Sequence, residues 1–187
     1  MLALQGGFAA HARVLEQLNA AVREVRVPAD LTGLDGLILP GGESTTMTLG
    51  IEREGLAEPL RELAAAGTPV LGTCAGLIML DREHLGLMDL RAQRNAFGRQ
   101  IHSFEADVNF EGVAGDAVRG VFIRAPWIAE HGPGVTVLAK LDGHPVAARQ
   151  GQVLAVAFHP ELAGERRIHQ LFLESVRAVR LEGQGPG

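Results

Sequence analysis

The sequence predicts a single three-layer α/β domain, with a mostly parallel central sheet, helices on both faces and an antiparallel β-meander near the C-terminus. Its length of 187 residues suits one domain. In the first half, short apolar runs alternate with segments of helical period, which is typical of a parallel sheet covered by helices. In the second half, strand-like runs follow one another with glycine turns between them, which predicts the meander.

The first half contains short apolar runs that predict strands of this sheet. Residues 2–4 stand before a glycine turn and are interpreted as the end of a strand. Residues 37–39 and 69–72 are read as strands covered on both faces of the sheet. Segments with apolar residues at helical spacing follow each run. The predicted helices span residues 8–22, 51–66 and 75–80.

The second half changes to strands joined by short turns. Asp142-Gly143 and Gln150-Gly151 separate the last three of them, as expected for a meander. A final helix with an apolar stripe is predicted over about residues 165–181. Residues 1–181 are therefore interpreted as one domain, and residues 182–187 as a flexible tail with nothing to bury. The predicted strands span residues 120–123, 135–141, 145–149 and 152–158.

The composition excludes several classes of protein. With 47% hydrophobic and 21% charged residues, the chain can bury a core and is not intrinsically disordered. A net charge of −5, without a run of basic residues, argues against binding to nucleic acid or to an anionic membrane. One cysteine cannot form an intrachain disulfide, and neither a membrane span nor a signal peptide is read in the sequence. We therefore expect a soluble, cytoplasmic protein.

The single cysteine, Cys74, lies in the segment Gly72-Thr73-Cys74-Ala75-Gly76, between a predicted strand and a predicted helix. This is the layout of a nucleophile elbow, in which a tight turn lifts the middle side chain off the sheet and flanking glycines avoid steric collision. A buried structural cysteine is the alternative, but a cysteine that only packs needs neither glycine. Cys74 is therefore predicted to be a nucleophile.

A cysteine nucleophile needs a base and a group that orients the base. Of the seven histidines, His159 ends the apolar run 152–158, so we expect it at the C-terminal edge of the sheet beside Cys74. The other six histidines are expected to be solvated. Glu161 can bond the second imidazole nitrogen of His159 if the backbone stays extended. Taken alone, His-Pro-Glu also fits a strand end followed by a surface acid.

The segment Pro40-Gly41-Gly42-Glu43 follows another buried run. Paired glycines allow main-chain N–H groups to turn outward, and the N–H groups of Gly42 and Ala75 are predicted to form an oxyanion hole. A phosphate-binding turn is less consistent with the sequence, because the P-loop lysine is absent and no G-x-G-x-x-G follows the first strand. No metal site is expected, since one cysteine and dispersed histidines give no ligand spacing.

Six motifs are spread over the chain: LILPGGESTT (37–46), GTCAGL (72–77), RNAFGRQ (94–100), SFEA (103–106), GVFIRAP (120–126) and FHPEL (158–162). Together they resemble the glutaminase subunits of pyridoxal 5′-phosphate synthase (the PdxT/SNO family), which are triad-type class I glutamine amidotransferases. The resemblance runs from Leu2 to about Val176. A G-x-C-x-G elbow with a later His-x-Glu indicates only the wider class, whereas RNAFGRQ and FIRAP are particular to this family.

The resemblance implies a fold, a reaction and a partner. The fold is the flavodoxin-like fold of class I glutamine amidotransferases. The reaction is the hydrolysis of L-glutamine to L-glutamate and ammonia through a thioester, without a cofactor. The ammonia passes to a synthase subunit that builds pyridoxal 5′-phosphate within a hetero-oligomeric complex. Glutaminases of this family are generally poor until they dock on the synthase.

The resemblance also implies roles for individual residues. Cys74 is the nucleophile, His159 the base and acid, and Glu161 the orienting carboxylate. A guanidinium suits the α-carboxylate of glutamine, and main-chain groups suit its polar ends. The residues that hold glutamine are Gly42, Glu43, Ser44, Arg94, Ile123 and Arg124.

Three other functions are alternatives to this one. A glutaminase that serves another synthase, such as one for histidine or anthranilate, would carry the same triad. A non-catalytic regulatory or chaperone-like α/β module is disfavoured because His159 and Glu161 are both present. A cysteine peptidase or stress protein of related fold lacks the His-x-Glu strand end and the FIRAP segment.

Overall fold

The structure, a computed structural model, describes residues 1–98 and 103–183. The strands in these ranges are β1 (Leu37–Leu39), β2 (Val70–Thr73), β3 (Leu90–Gln93), β4 (Ser103–Val108), β5 (Val118–Ile123), β6 (Trp127–His131), β7 (Thr136–Leu141), β8 (His144–Gln150) and β9 (Val153–Val156). The α-helices are α1 (Phe8–Gln17), α2 (Ser44–Arg53), α3 (Ala57–Ala65), α4 (Ala75–Leu80) and α5 (Arg167–Gly183). Short 3₁₀ turns occupy Pro28–Leu31 and Pro160–Leu162. Within the described ranges, no helix has both the length and the apolar character that a membrane span requires.

The central sheet is mixed: it has a parallel part and the antiparallel meander that the sequence predicts at its C-terminal end. Its five strands among the described residues lie in the order β1-β2-β9-β8-β7. Strands β1, β2 and β9 are parallel, and Gly72 stands opposite both Leu39 and Ala155. Strands β7, β8 and β9 form the predicted antiparallel meander. Leu2 extends the parallel part, because its N–H donates to the carbonyl oxygen of Ile38 (2.9 Å) while its other side pairs with Val25.

Helices cover both faces of this sheet, as the alternation of strands and helices predicts. Gly72 faces α4, since a Cβ built on it would lie 2.6 Å from Cδ1 of Leu80. The next residue, Thr73, points to the opposite face, where its Oγ1 lies 3.0 Å from Nε2 of His11 in α1. His169 of α5 contacts His11, so α1 and α5 share that face. The sheet is therefore the middle of three layers.

The expectation that six histidines are solvated is wrong for two of them. His11 and His169 are fully buried between the sheet and its helices. Both lie on helix faces that pack inward, and a hydrogen bond joins one ring nitrogen of His11 to one ring nitrogen of His169. His102, another of the six, lies outside the described residues.

The prediction of a single helix over residues 51–66 is also wrong. The structure has two helices here, α2 and α3, separated by a turn at Gly55. Gly55 has a φ of +66°, a left-handed conformation that ends α2 and that glycine adopts without steric cost. Leu56, which the sequence places in one apolar stripe, is instead the buried cap residue of α3.

Other elements differ in their extent or are not predicted at all. Strands β3 and β6 form one separate ribbon, β4 and β5 form another, and only β5 is predicted from the sequence. Helix α1 ends at Gln17, before residue 22, because Asn19 turns the chain with a φ of 59°. Helix α5 continues to Gly183, past its predicted end at residue 181. Residues 184–187 of the predicted tail lie outside the described residues.

Candidate active site

Cys74 lies in the turn between β2 and α4 in a strained backbone conformation. Its φ of 49° and ψ of −105° fall outside the regions that non-glycine residues normally occupy. Only glycine fits on either side of Cys74 without a steric clash. A Cβ on Gly76 would collide with the carbonyl oxygen of Leu39, and a Cβ on Gly72 would lie 2.7 Å from the carbonyl carbon of Gly76. The tight strand-to-helix turn that the glycine spacing predicts is therefore present.

His159 and Glu161 follow β9, the strand beside β2. The N–H of His159 donates to the carbonyl oxygen of Val121 (2.8 Å), which ties this segment to β5. The imidazole Nδ1 lies 2.7 Å from Oε1 of Glu161, whose side chain is 1% exposed. The expectation of an extended backbone is wrong here. Pro160 begins a 3₁₀ turn, and this turn brings the carboxylate back to the ring.

The charge of His159 is set by its two polar partners. Burial, the largest single influence, lowers the pKa of His159, but hydrogen bonds and charge interactions with Cys74 and Glu161 outweigh it and raise this pKa to about 10. Burial raises the pKa of Glu161, whereas His159 and His11 lower it more, so the net shift is downward. The two partners therefore favour the imidazolium form of His159, in which the Nδ1 proton is donated to the Glu161 carboxylate.

A cavity of about 690 Å³ opens beside the sulfur of Cys74. Cys74 is only 6% exposed, yet it lines this cavity together with His159. Glu161 stays behind His159 in the protein interior. The structure thus brings together residues from distant parts of the chain. The predicted site residues that line the cavity are Gly42, Glu43, Ser44, Cys74, Ala75, Arg94, Ile123, Arg124 and His159.

The Gly41-Gly42 loop is held by residues close to the N-terminus. Oε1 of Gln5 accepts a hydrogen bond from the N–H of Glu43 (2.8 Å), and the N–H of Gly7 donates to the carbonyl oxygen of Gly41 (2.9 Å). Gln5 also lines the cavity. Gln5 cannot be recognised as a site residue from the sequence, because a glutamine in a turn after a strand has no distinguishing pattern.

Glu43 and Arg94 hold one another at the rim of the cavity. The Glu43 carboxylate caps α2 by accepting hydrogen bonds from the N–H groups of Thr46 (2.7 Å) and Thr45 (3.1 Å). These bonds lower the pKa of Glu43 to about 2. Nη2 of Arg94 lies 3.3 Å from Oε1 of Glu43, so the same carboxylate orients the guanidinium. Phe97 anchors the Arg94 segment by packing in a cluster of aromatic rings.

Ile123 and Arg124, at the end of β5, stand close to the nucleophile. The carbonyl oxygen of Ile123 lies 3.8 Å from Sγ of Cys74. Arg124 has a φ of 44°, so the chain turns sharply where it lines the cavity. Arg99 and Gln100, which complete the RNAFGRQ motif, lie outside the described residues. In the part of the chain that the structure describes, no group of three or more His, Cys, Asp or Glu side chains is arranged to hold a metal ion.

The sequence of this chain matches a family profile and several known proteins. The sequence profile of the SNO glutamine amidotransferase family matches residues 1–178. The pyridoxal 5′-phosphate synthase subunit PdxT of Geobacillus kaustophilus is 53% identical over 188 residues, covering 97% of this chain and 95% of that protein. The protein of the same name from Streptomyces avermitilis is 50% identical over 189 residues, covering 96% and 94%.

Solved structures with the same fold are also known. A crystal structure described as a glutamine amidotransferase superposes with a TM-score of 0.88 at 44% identity, covering 94% of this chain and 96% of that one. The PurLQS structure from Thermotoga maritima superposes with a TM-score of 0.71 at 19% identity, covering 92% and 95%. At 19% identity the likeness concerns the fold alone. The single α/β domain is thus that of the glutamine amidotransferases.

Proposed function

The chain belongs to the SNO glutamine amidotransferase family, and from this premise we propose that it is the glutaminase subunit of a pyridoxal 5′-phosphate synthase. It hydrolyses L-glutamine to L-glutamate and ammonia, and a synthase subunit uses the ammonia. Relatives at 53% and 50% identity over almost the whole chain bear the name of such a subunit. The observation that carries the proposal in this chain is the meeting of Cys74 and His159 at one cavity, with Glu161 bonded behind.

The first half of the proposed reaction forms a thioester. The Cys74 thiolate attacks the carbon of the glutamine side-chain amide, and the N–H groups of Gly42 and Ala75 receive the oxyanion. Ala75 is the first residue of α4, so its N–H has no partner within the helix. His159 then donates its Nε2 proton to the amide nitrogen, the C–N bond breaks and ammonia leaves.

The second half hydrolyses the thioester. His159, now neutral, takes a proton from water at Nε2, and the hydroxide attacks the acyl carbon. The C–S bond breaks, glutamate leaves, and the thiolate and imidazolium are restored. Glu161 stays ionised and holds the Nδ1 proton throughout, so that Nε2 is the reacting nitrogen in both halves.

The polar ends of glutamine are assigned to the rim of the cavity. Arg94 binds the α-carboxylate, because its guanidinium is already oriented by Glu43 and a planar guanidinium matches a carboxylate. Main-chain groups hold the remaining polar atoms, and Arg124 adds positive charge. The residues that contribute are Gly42, Glu43, Ser44, Ile123 and Arg124.

The partner is tested by a glutaminase assay with and without purified synthase subunits. The pyridoxal 5′-phosphate synthase subunit is expected to raise glutamate release at least about tenfold, because aligning one oxyanion donor changes a rate by about 10²-fold or more. Synthases for histidine and anthranilate are expected to have no effect. Stimulation by one of these instead, or no glutamate release with any of the three, contradicts the proposal.

The proposed function includes a cytoplasmic location. This location suits a biosynthetic subunit with one cysteine, which cannot form an intrachain disulfide.

Gly41 lies against the imidazole of His159, which allows a test of ring placement. A Cβ built on Gly41 would collide with Cε1 of His159 and lie 2.9 Å from its Nδ1, although Gly41 itself is not in the left-handed region. Gly41→Ala is therefore expected to displace the ring without straining the backbone. Glutaminase kcat is expected to fall on the order of 10²-fold, as for a misplacement of about 1 Å.

The matched control for this variant is Gly134→Ala in the turn before β7. A Cβ there would come no closer than 3.6 Å to Gln150, an ordinary packing distance. Its kcat should equal that of the wild type. Wild-type kcat in Gly41→Ala would show that the ring is not held where the proposed mechanism requires.

A further inference from the structure

A buried polar cluster lies behind Glu161 and links it to α1, β2 and α5. The His11 cluster consists of His11, Thr73, Glu161 and His169, and each of these side chains is at most 1% exposed. Buried polar groups cost free energy unless they are partnered, and they are therefore uncommon without a role. The steps of the proposed mechanism use Glu161 but none of the other three.

The distances within the His11 cluster favour one arrangement of its protons. Nε2 of His11 is 3.0 Å from Oγ1 of Thr73 and 3.3 Å from Oε2 of Glu161. Because an ionised carboxylate oxygen only accepts, the contact with Oε2 of Glu161 is attractive when Nε2 of His11 carries the proton. Nδ1 of His11 is then an acceptor, and Nε2 of His169 donates to it at 2.9 Å. Nδ1 of His169 has no well-formed hydrogen bond among the described residues, although the main chain of Glu165 interacts with this ring and raises its pKa slightly against the effect of burial.

The second oxygen of the Glu161 carboxylate depends on His11. Oε1 bonds to His159, whereas Oε2 is buried and accepts no well-formed hydrogen bond from the residues that the structure describes. Nε2 of His11, at 3.3 Å, is the polar donor that faces it. A buried carboxylate without such a donor takes up a proton more readily, and a protonated Glu161 cannot stabilise the imidazolium of His159.

We propose that His11 is a positioning residue of the glutaminase, an inference that rests on the proposed function. As a neutral ring protonated at Nε2, His11 keeps the Glu161 carboxylate ionised and directed at His159. Its ring also contacts Thr73, the residue before Cys74. His11 therefore joins the strand that carries the nucleophile to the segment that carries the acid. Helix α1 adds to this effect, because its N-terminus lies beside Glu161: a Cβ on Gly7 would be 3.6 Å from Oε1.

The charges around His11 agree with a neutral ring. Burial, partly offset by Glu161, lowers the pKa of His11, and the nearby His159 lowers it further. Burial and then His11 lower the pKa of His169 to about 4. The titratable groups that face the pair are Glu161 from the 3₁₀ turn, His159 from the end of β9, and Glu165 before α5. Two neutral, hydrogen-bonded imidazoles are therefore expected over the range in which the enzyme is assayed.

The first test compares variants in the complex with the synthase subunit. His11→Leu is expected to lower kcat about tenfold at neutral pH and to leave KM within about twofold of the wild-type value. The reason is that the interaction between the Glu161 carboxylate and the His159 imidazolium, which stabilises the transition state, is weakened. The acid limb of its kcat/KM profile should move up by about one pH unit, since Glu161 is protonated more readily. His11→Gln places an amide N–H donor near the same position and should restore both quantities.

The matched control is His84→Leu, which removes a histidine 2.7 Å from the buried carboxylate of Asp81, outside the cavity. It should lose stability but keep the wild-type pH profile. A His11→Leu profile that coincides with the wild type, or an equal shift in His84→Leu, overturns the positioning role.

A second test uses the wild-type protein and does not depend on activity. Nitrogen NMR of ¹⁵N-histidine-labelled protein at neutral pH should show His11 as the neutral Nε2–H tautomer, and this measurement decides the matter even if His11→Leu does not fold. An Nδ1–H tautomer or an imidazolium at His11 contradicts the inference. Wild-type protein that releases no glutamate with the synthase contradicts the proposed function instead, and the NMR result still decides the state of His11.

Discussion

Cys74→Ala is expected to lower glutamate release by at least about 10⁴-fold in the complex with the synthase subunit, the scale on which loss of a catalytic nucleophile acts. Without the sulfur no thioester forms, and the imidazolium of His159 loses one of the two partners that raise its pKa to about 10. The quantity to measure is kcat, from the release of glutamate at saturating glutamine.

The control for Cys74→Ala is that the variant still folds and binds glutamine, seen as unchanged thermal unfolding and an upward shift of the melting temperature with substrate. Alkylation gives an independent readout, because the chain has a single cysteine. Iodoacetamide should add one group to the wild type, more slowly when glutamine is present, and none to Cys74→Ala. Turnover near the wild-type rate in this variant would end the proposed mechanism.

Glu161→Gln is expected to lower kcat by about 10³-fold with little change in KM. The amide has nearly the same size as the carboxylate but carries no charge, so the pKa of His159 falls. If the amide NH₂ group faces Nδ1, the ring proton moves to Nε2, and His159 can no longer accept a proton from water there. The effect therefore comes from the charge and tautomer of the imidazole rather than from lost packing.

Glu165→Gln is the matched control for this variant. Glu165 is also a buried carboxylate, but it bonds to Arg167 (2.6 Å) rather than to His159. We expect it to lower the free energy of unfolding and to leave kcat unchanged. Equal losses of kcat in the two variants would mean that any buried carboxylate of this region supports activity, and that Glu161 has no special part.

Much of the site could be predicted because its signals are local. The glycines around Cys74 are required by contacts with Leu39 and Leu80 that any tight turn between a buried strand and a helix creates. His159 could be placed because it ends an apolar strand, and parallel strands end at a common edge of the sheet. The glycine pair after β1 reaches the same edge for the same reason.

Other parts of the site have no local signal. The 3₁₀ turn that carries Glu161 back to His159 replaces the extended segment that strand alternation favours. Gln5 reaches the cavity because residues 5–7 bond to the loop that contains Gly41. His11 and His169 look like ordinary helix residues in the sequence, and they are buried because α1 and α5 pack on one face of the sheet. The break at Gly55 is hidden by an apolar spacing that continues across it.

Apolar periodicity and glycine placement over a few residues suffice to specify the α/β class, the strand-to-helix turn at Cys74 and the succession of parallel strands and meander. Three-dimensional packing is needed to specify how Glu161 meets His159, which loop segments surround the cavity, and that two histidines stand buried behind the carboxylate. Those contacts join residues as far as 158 positions apart. Their formation depends on helix packing and on the partnering of buried polar groups, which no short segment of the chain encodes.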